Sequence, residues 1–285
     1  MNILETHIVP TLTDPQRLQE YAVGIFKSVA TRSAIKKAIK KEIILVDQET
    51  SSTATWIKGG ETIQLLEAQE STRKVFDLTL EILFEDEYLA IINKPAGVLV
   101  SGNSFATIDN ALSSNLQAST LEDTVRPRPT HRLDYPTSGL LLIGKTSSAI
   151  LQLNQLFERK KIQKTYHAVT IGKMQPEGKI SLDVDGKESL SFYKVLDSVP
   201  SKRFNHLNLV ELCPKTGRRH QLRKHLSSLG NPILGDKEYG KENLILRGKG
   251  LYLHASQLTF THPFTQEEMQ VNTPLPKKIL KIFPQ

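Results

Sequence analysis

Residues 131–146 read His131-Arg132-Leu133-Asp134-Tyr135-Pro136-Thr137-Ser138-Gly139-Leu140-Leu141-Leu142-Ile143-Gly144-Lys145-Thr146, and two folds compete for them. The last eight match a phosphate-binding loop, two glycines with four residues between them followed by Lys-Thr. Such a loop needs solvated residues whose backbone N–H groups turn inward, and three Leu and an Ile would leave it apolar and exposed. Leu140 to Ile143 therefore reads as a buried strand, too short for a buried helix, and nucleotide hydrolysis is set aside. A charged loop, Pro136 and a small-residue turn feed that strand, a usual way to hold a reactive group at the rim of a rigid sheet. Asp134 becomes the candidate reactive carboxylate, with Arg132 beside it. An Asp before a turn is also a common local cap, so the rest of the chain must carry part of the argument.

The chain has 285 residues, enough for one large or two modest domains, and a formal charge of +7. The cations cluster. Tyr21 to Lys41 holds Lys27, Arg32, Lys36, Lys37, Lys40 and Lys41 with no acid between them. Further groups are Arg159, Lys160, Lys161 and Lys164, and then Lys215, Arg218, Arg219, Arg223 and Lys224. Charge runs are often only solvated faces, but three one-sided clusters in a mixed chain point to a polyanionic partner, a nucleic acid. Cys213 is the single cysteine, which leaves neither an internal disulfide nor a cysteine metal site and fits a reducing compartment. No apolar run is long enough to span a bilayer, and no signal-peptide pattern opens the chain; the expected address is cytoplasmic, away from membranes.

Taken in order, residues 1–14 read as an N-terminal extension and residues 15–67 as a small α/β unit. A helix is expected from Asp14-Pro15 to about Lys27. A second starts at Thr31, with Ala34, Ile35, Ala38 and Ile39 as its apolar stripe and Arg32, Lys36, Lys37 and Lys40 on the other faces. Strands follow at Ile43 to Val46 and Thr62 to Leu66. Residues 68–78 are polar and aperiodic, a linker, and residues 79–285 form the second domain. It opens with strands at Leu80 to Glu85 and Tyr88 to Ile92, and a turn at Asn93-Lys94-Pro95-Ala96-Gly97. Then come a helix (Thr107 to Leu116), an extended basic arm (Val125 to Pro129), the motif strand, and a helix from Ser147 to Lys160. Strands at Lys164 to Thr170 and His206 to Cys213 flank a hairpin from Gly178 to Asp197. A Thr216-Gly217 turn leads into a helix with cations on its first turns, which needs a nearby anion. Leu251 to His262 closes the sheet. The expected class is α+β: a mixed, largely antiparallel sheet flanked by helices, with a small N-terminal α/β RNA-binding domain.

Four ordered segments carry a family resemblance: Asn93-Lys94-Pro95-Ala96-Gly97, the HRLD and TSG of residues 131–139, Thr216-Gly217-Arg218-Arg219-His220-Gln221-Leu222-Arg223 with Asn231 to Asp236, and Leu253-His254-Ala255. Together they resemble the RluA family of pseudouridine synthases over about Glu81 to Pro263. The basic helix at Thr31-Arg32-Ser33 and the Gly59-Gly60-Glu61 turn resemble the ribosomal protein S-four type of RNA-binding module, although the stretch Asp47-Gln48-Glu49-Thr50 stands where such modules often carry Asn-Gly in the first hairpin. The likeness implies isomerisation of uridine in RNA by one carboxylate, with no cofactor and no metal. It implies that Asp134 is catalytic, that Tyr166 packs on the base and helps proton movement, and that Arg223 pairs with Asp134. Arg132 would fill the gap left by the flipped base, and Leu222 belongs with the base-binding residues. Arg32, Lys36, Lys37 and Lys40 would contact phosphates. His220 and His225 are five apart, off the spacing of a helical metal pair. Ribosomal RNA is favoured over transfer RNA, acted on by a monomer. The rivals are a non-catalytic RNA-binding protein and a glycosidase, which would need a second carboxylate.

Overall fold

The computed structural model describes residues 2–26, 29, 31–67, 75–246 and 248–284. Lys27 and the greater part of the expected linker, residues 68–74, lie outside the described residues. The chain divides into two compact units, Met1–Arg73 and Lys74–Gln285.

The first unit contains β1 (Ile3–Ile8), β2 (Gln16–Arg17), α1 (Leu18–Tyr21), α2 (Arg32–Lys40), β3 (Ile44–Val46), β4 (Glu49–Thr50), β5 (Trp56–Ile57) and β6 (Thr62–Leu66). Its main sheet has the order β1-β6-β3-β4. Two expectations are corrected here. Residues 1–14 are not a bare extension, because Ile3–Ile8 pairs antiparallel with Thr62–Leu66 and Val9 enters the core. The strand escaped notice because Ile3, Leu4 and Ile8 are exposed, so the period-2 signal is scrambled. The helix expected from Asp14 to Lys27 shrinks to Leu18–Tyr21: Gln16 and Arg17 are taken by a ladder with Trp56–Ile57, and Gly24 turns to φ +79. The second helix forms as its sequence dictates. Thr31 accepts the Ala34 N–H at 3.2 Å as N-cap, and Ile35, Ala38 and Ile39 are buried while the four cations face solvent. Asp47 and Gln48 both take positive φ (50 and 70) in the two-residue β3–β4 loop, the geometry in which Asn-Gly is the usual choice.

The second unit holds β7 (Glu81–Glu85), β8 (Leu89–Lys94), α3 (Ile108–Asn115), β9 (Thr124–Pro129), β10 (Ser138–Thr146), α4 (Ser147–Glu158), β11 (Gln163–Ile171), β12 (Glu177–Ser181), β13 (Leu190–Ser201), β14 (Asn205–Pro214), α5 (Gln221–Ser228), β15 (Leu253–Thr261), β16 (Glu268–Asn272) and α6 (Lys277–Leu280). One sheet runs β12-β13-β14-β11-β15-β10-β8-β7, with β16 on β15 and β9 on β10. The β10–β15 pair is parallel, and the other ladders are antiparallel. The arm at Val125 to Pro129 is thus a ladder strand rather than a free extension. Leu141 and Ile143 of β10 enter one core with Ala90 and Ile92, while Leu140 and Leu142 enter another with Leu89 and Ile91. Burial on both faces is why the segment reads as an unbroken apolar run. The apparent phosphate loop is accounted for by packing: Lys145 Nζ binds Glu85 Oε1 at 2.7 Å, and Thr146 caps α4 through Ala149 N–H at 3.1 Å.

Gly139 fixes where β10 begins. Its φ is +116, and a Cβ there would lie 2.1 Å from the Ala255 carbonyl oxygen, so only glycine lets β10 run beside β15 at this point. The loop carrying Asp134 ends against that junction.

Candidate active site

Asp134 sits on the loop just before β10 with its side chain 16% exposed, and two pins, one buried and one half-buried, hold that loop. Lys94, at the end of β8, donates from Nζ to the Pro95 and Thr137 carbonyls at 2.9 and 2.8 Å. Burial pushes its ammonium down to about 8, against the pull of the nearby Asp134 carboxylate. His131 accepts the Leu142 N–H at Nε2 (3.0 Å) and packs against Phe157 with centroids 4.9 Å apart. Burial, reinforced by Lys164, pushes this imidazole down to about 3, so the first residue of the motif is a neutral acceptor. Thr137 N–H closes the turn onto the Asp134 carbonyl at 3.0 Å, and Gly97 N–H binds the Tyr135 carbonyl at 2.8 Å.

A cleft of about 810 Å³ opens above the loop, and Arg132, Asp134, Tyr166, Leu222 and Arg223 all line it. The volume admits an unstacked nucleotide. Lys160, Lys164, Lys215, Arg218 and Arg219 also line it, so the second and third basic clusters converge on one site. Arg32, Lys36, Lys37 and Lys40 belong to the first unit and do not line it. Tyr166 is buried, and burial first and Asp134 second push its phenol well above the usual tyrosine range, keeping it protonated. Arg132 is exposed, whereas Leu222 is packed in the core on the first turn of α5.

Arg223 meets Asp134 less directly than the sequence suggested. Its Nη1 stands 3.7 Å from Asp134 Oδ2, while Nε and Nη2 bind Asp236 at 2.7 and 2.8 Å and Nη2 binds Glu238 at 2.9 Å. Asp236 is fully buried, and the guanidinium holds its carboxyl below the ordinary range. These are the anions that the cationic helix start required. The same contacts occupy Asp236 and Glu238 as partners of Arg223, rather than as a free second acid. His220 stands 3.8 Å from Asp134 Oδ1, whereas His225 binds Ser189 Oγ at 2.7 Å in the interior. The contacts that Lys94, His220, Asp236, Glu238 and Tyr239 make around the site are not legible in the sequence. The Lys-Pro turn and the Gly235-Asp236 pair were visible, but the partners that give them meaning are not their sequence neighbours.

Asp134 at the rim of a sheet, beside a buried phenol and inside a largely cationic cleft large enough for a nucleotide, is an arrangement suited to chemistry on a nucleic acid. The comparisons agree. Residues 88–228 match the family described as RNA pseudouridylate synthase. A ribosomal large subunit pseudouridine synthase D of Nitrosomonas europaea is 31% identical over 273 residues, covering 86% of this chain and 77% of that protein. A tRNA pseudouridine synthase C of Vibrio vulnificus is 35% identical over 237 residues, covering 72% of this chain and 94% of that one. Among solved structures, human RNA Pseudouridylate Synthase Domain Containing 1 aligns with a TM-score of 0.59 and 27% identity, over 70% of this chain and 84% of its own. The chain belongs to the RluA-type family of RNA pseudouridine synthases. It is an isomerase of uridine in RNA.

Proposed function

We propose that this synthase modifies ribosomal RNA of the large subunit, with Asp134 as the group that reacts. The observation that carries the site is the placement of Asp134: its two oxygens face Arg223 and His220 at 3.7 and 3.8 Å, oriented but free of a short hydrogen bond. A carboxylate held this way can add to the base, or stabilise charge at the sugar while the glycosidic bond breaks. Tyr166 would pack against the base and keep its proton, Leu222 would complete the apolar side, and Arg132 would enter the gap left in the RNA. Arg223 positions the carboxylate.

The preference for ribosomal RNA rests on coverage. The Nitrosomonas large-subunit enzyme and one from Rickettsia bellii match 86% and 94% of this chain, and so extend into the first unit. The Vibrio transfer RNA enzyme matches 72%, a share close to that of the second unit alone. The first unit is read as an S-four type module whose Arg32, Lys36, Lys37 and Lys40 contact phosphates. Residues 79–285 are read as the catalytic domain, and the protein as a cytoplasmic monomer. The test is to map pseudouridines in RNA from cells with the protein, without it, and with Asp134→Asn. Sites that vanish from large-subunit RNA in the last two support the reading. Sites that vanish only from transfer RNA would replace its substrate, and unchanged sites with Asp134→Asn would remove its mechanism.

A further inference from the structure

His220 is used by none of the roles above, yet the fold takes trouble to aim it. It precedes α5 with φ 55 and ψ 24, left-handed backbone that residues with a Cβ rarely adopt. From there its Nδ1 lies 2.9 Å from the Tyr239 hydroxyl and its Nε2 lies 3.8 Å from Asp134 Oδ1. Arg223 Nη1 faces the other oxygen at 3.7 Å, so the carboxylate lies between two nitrogens, one on each side.

A single turn secures both. Asp236 Oδ1 accepts the N–H groups of Glu238 and Tyr239 at 3.0 and 3.1 Å, closing the turn, and the same residue holds Arg223. The Tyr239 ring lies 4.9 Å from the Arg223 guanidinium carbon, and its hydroxyl reaches His220. The charged groups facing the imidazole are Asp134, Glu238 (3.5 Å from Nδ1), Arg223 and Arg219; burial tips it toward the neutral form. A neutral imidazole has one N–H and one lone pair. Only the form protonated on Nε2 turns an N–H toward Asp134; the other would set lone pair against carboxylate. Two groups compete at Nδ1: Glu238 Oε1 at 3.5 Å favours an N–H there, whereas a Tyr239 hydroxyl donating at 2.9 Å favours a lone pair, and the shorter contact selects the first form.

We propose that His220, with its tautomer fixed by Tyr239, is a positioning residue that turns its Nε2–H toward Oδ1 of Asp134, so that the carboxylate is restrained electrostatically from both sides rather than by Arg223 alone. The proposal rests on the reading of Asp134 as the reacting group.

The experiment uses the full-length protein and an unmodified transcript of large-subunit ribosomal RNA, with single-turnover pseudouridine formation followed against RNA concentration. His220→Asn keeps a residue type that tolerates left-handed backbone but falls short of Asp134, whereas His220→Gln can still bring an N–H to it. The expected loss in maximal rate for His220→Asn is about ten- to hundredfold, with the half-saturating RNA concentration unchanged. His220→Gln should recover to within about fivefold of the unaltered protein. Nitrogen-15 spectra of the histidine-labelled protein should show His220 protonated on Nε2, and Tyr239→Phe, which removes only a hydroxyl, should mix the two tautomers. That spectral arm stands even if His220→Asn fails to fold. A wild-type maximal rate for folded His220→Asn, a loss confined to RNA affinity, or an Nδ1–H tautomer in the unaltered protein overturns the proposal. Asp134→Asn is run alongside. If it stays active, the reading of Asp134 has failed; if it is inactive while His220→Asn matches the unaltered protein, only this inference has.

Discussion

The helices α2 and α5 each carry cations, and they use them in opposite directions. On α2, Lys36, Lys37 and Lys40 are exposed and Arg32 pairs with Glu20 at the surface. On α5, Arg223 is 4% exposed and bound by a buried carboxylate and by Glu238. Exposed charge on a solvated face costs little and can meet an external polyanion. Buried charge persists only with partners, and once partnered it is rigid enough to aim another group. A run of Lys and Arg therefore marks two kinds of function, and burial decides between them.

The largest effect should come from the group that the buried arrangement serves. Asp134→Asn changes one oxygen to an amide, leaves shape intact, and is expected to lower single-turnover pseudouridine formation on the order of a thousandfold or more. RNA affinity should stay within about twofold, since the cations around the cleft remain. A variant with a tenth of the normal rate would remove the contrast between the two helices, because nothing would then depend on what α5 aims.

Next in size is Arg223→Ala. It strands Asp236, whose side chain has no exposure, as a buried carboxylate without its cation. Losing one partner of such a pair costs on the order of 3–5 kcal/mol, so denaturant unfolding of the second unit should shift by that much. Its maximal rate should fall and no RNA concentration should restore it. Rescue by excess RNA would mean that Arg223 binds substrate as the α2 cations are proposed to.

Lys94 sharpens the same contrast through pH. Its folded value of about 8 lies below the ordinary 10.5, so between those limits the unfolded chain holds a proton that the folded protein has released. Stability from this group therefore rises as pH climbs from 8 to 10.5, and below 8 the full cost of the buried charge is present, about 3 kcal/mol at roughly 1.4 kcal/mol per pH unit. Unfolding free energies of the unaltered protein and of Lys94→Met, measured across that window, should differ in slope. Equal slopes would show that Lys94 is not the buried, carbonyl-bound ammonium described above.

The sequence carried the sheet well and the site in part. Leu140 to Ile143 could be read as a strand because burial on both faces leaves no polar residue in it, and Asp134 because Pro136 and the small turn isolate it at the strand's mouth. Ile3–Ile8 was illegible because its exposed side chains are apolar, so composition contradicted position. The support of Arg223 was illegible for a different reason: Asp236 and Glu238 lie 13 and 15 residues downstream, beyond any helical or turn spacing, and only the return of the chain brings them under α5. The lysine of the Lys-Pro turn read only as part of a turn, yet its side chain reaches from the end of β8 to the Thr137 carbonyl, 43 positions away in sequence.

The smallest effect should come from α2, and its form matters more than its size. Thr31 caps the helix and Ile35, Ala38 and Ile39 anchor it, so replacing Lys36, Lys37 and Lys40 by Ala alters only the solvated face and should leave folding intact. If these residues contact phosphates, each one lost removes roughly one released counterion, and the dependence of log affinity on log salt should flatten by up to about three. Affinity should drop most at low salt and little at high salt. Because the cleft keeps its own cations, saturating RNA should bring the single-turnover rate back to that of the unaltered protein. Kinetics against RNA concentration at two salt levels separate the outcomes. An unchanged salt slope would leave α2 as a solvated face without a partner, while a lost maximal rate would mean that its cations do more than position RNA.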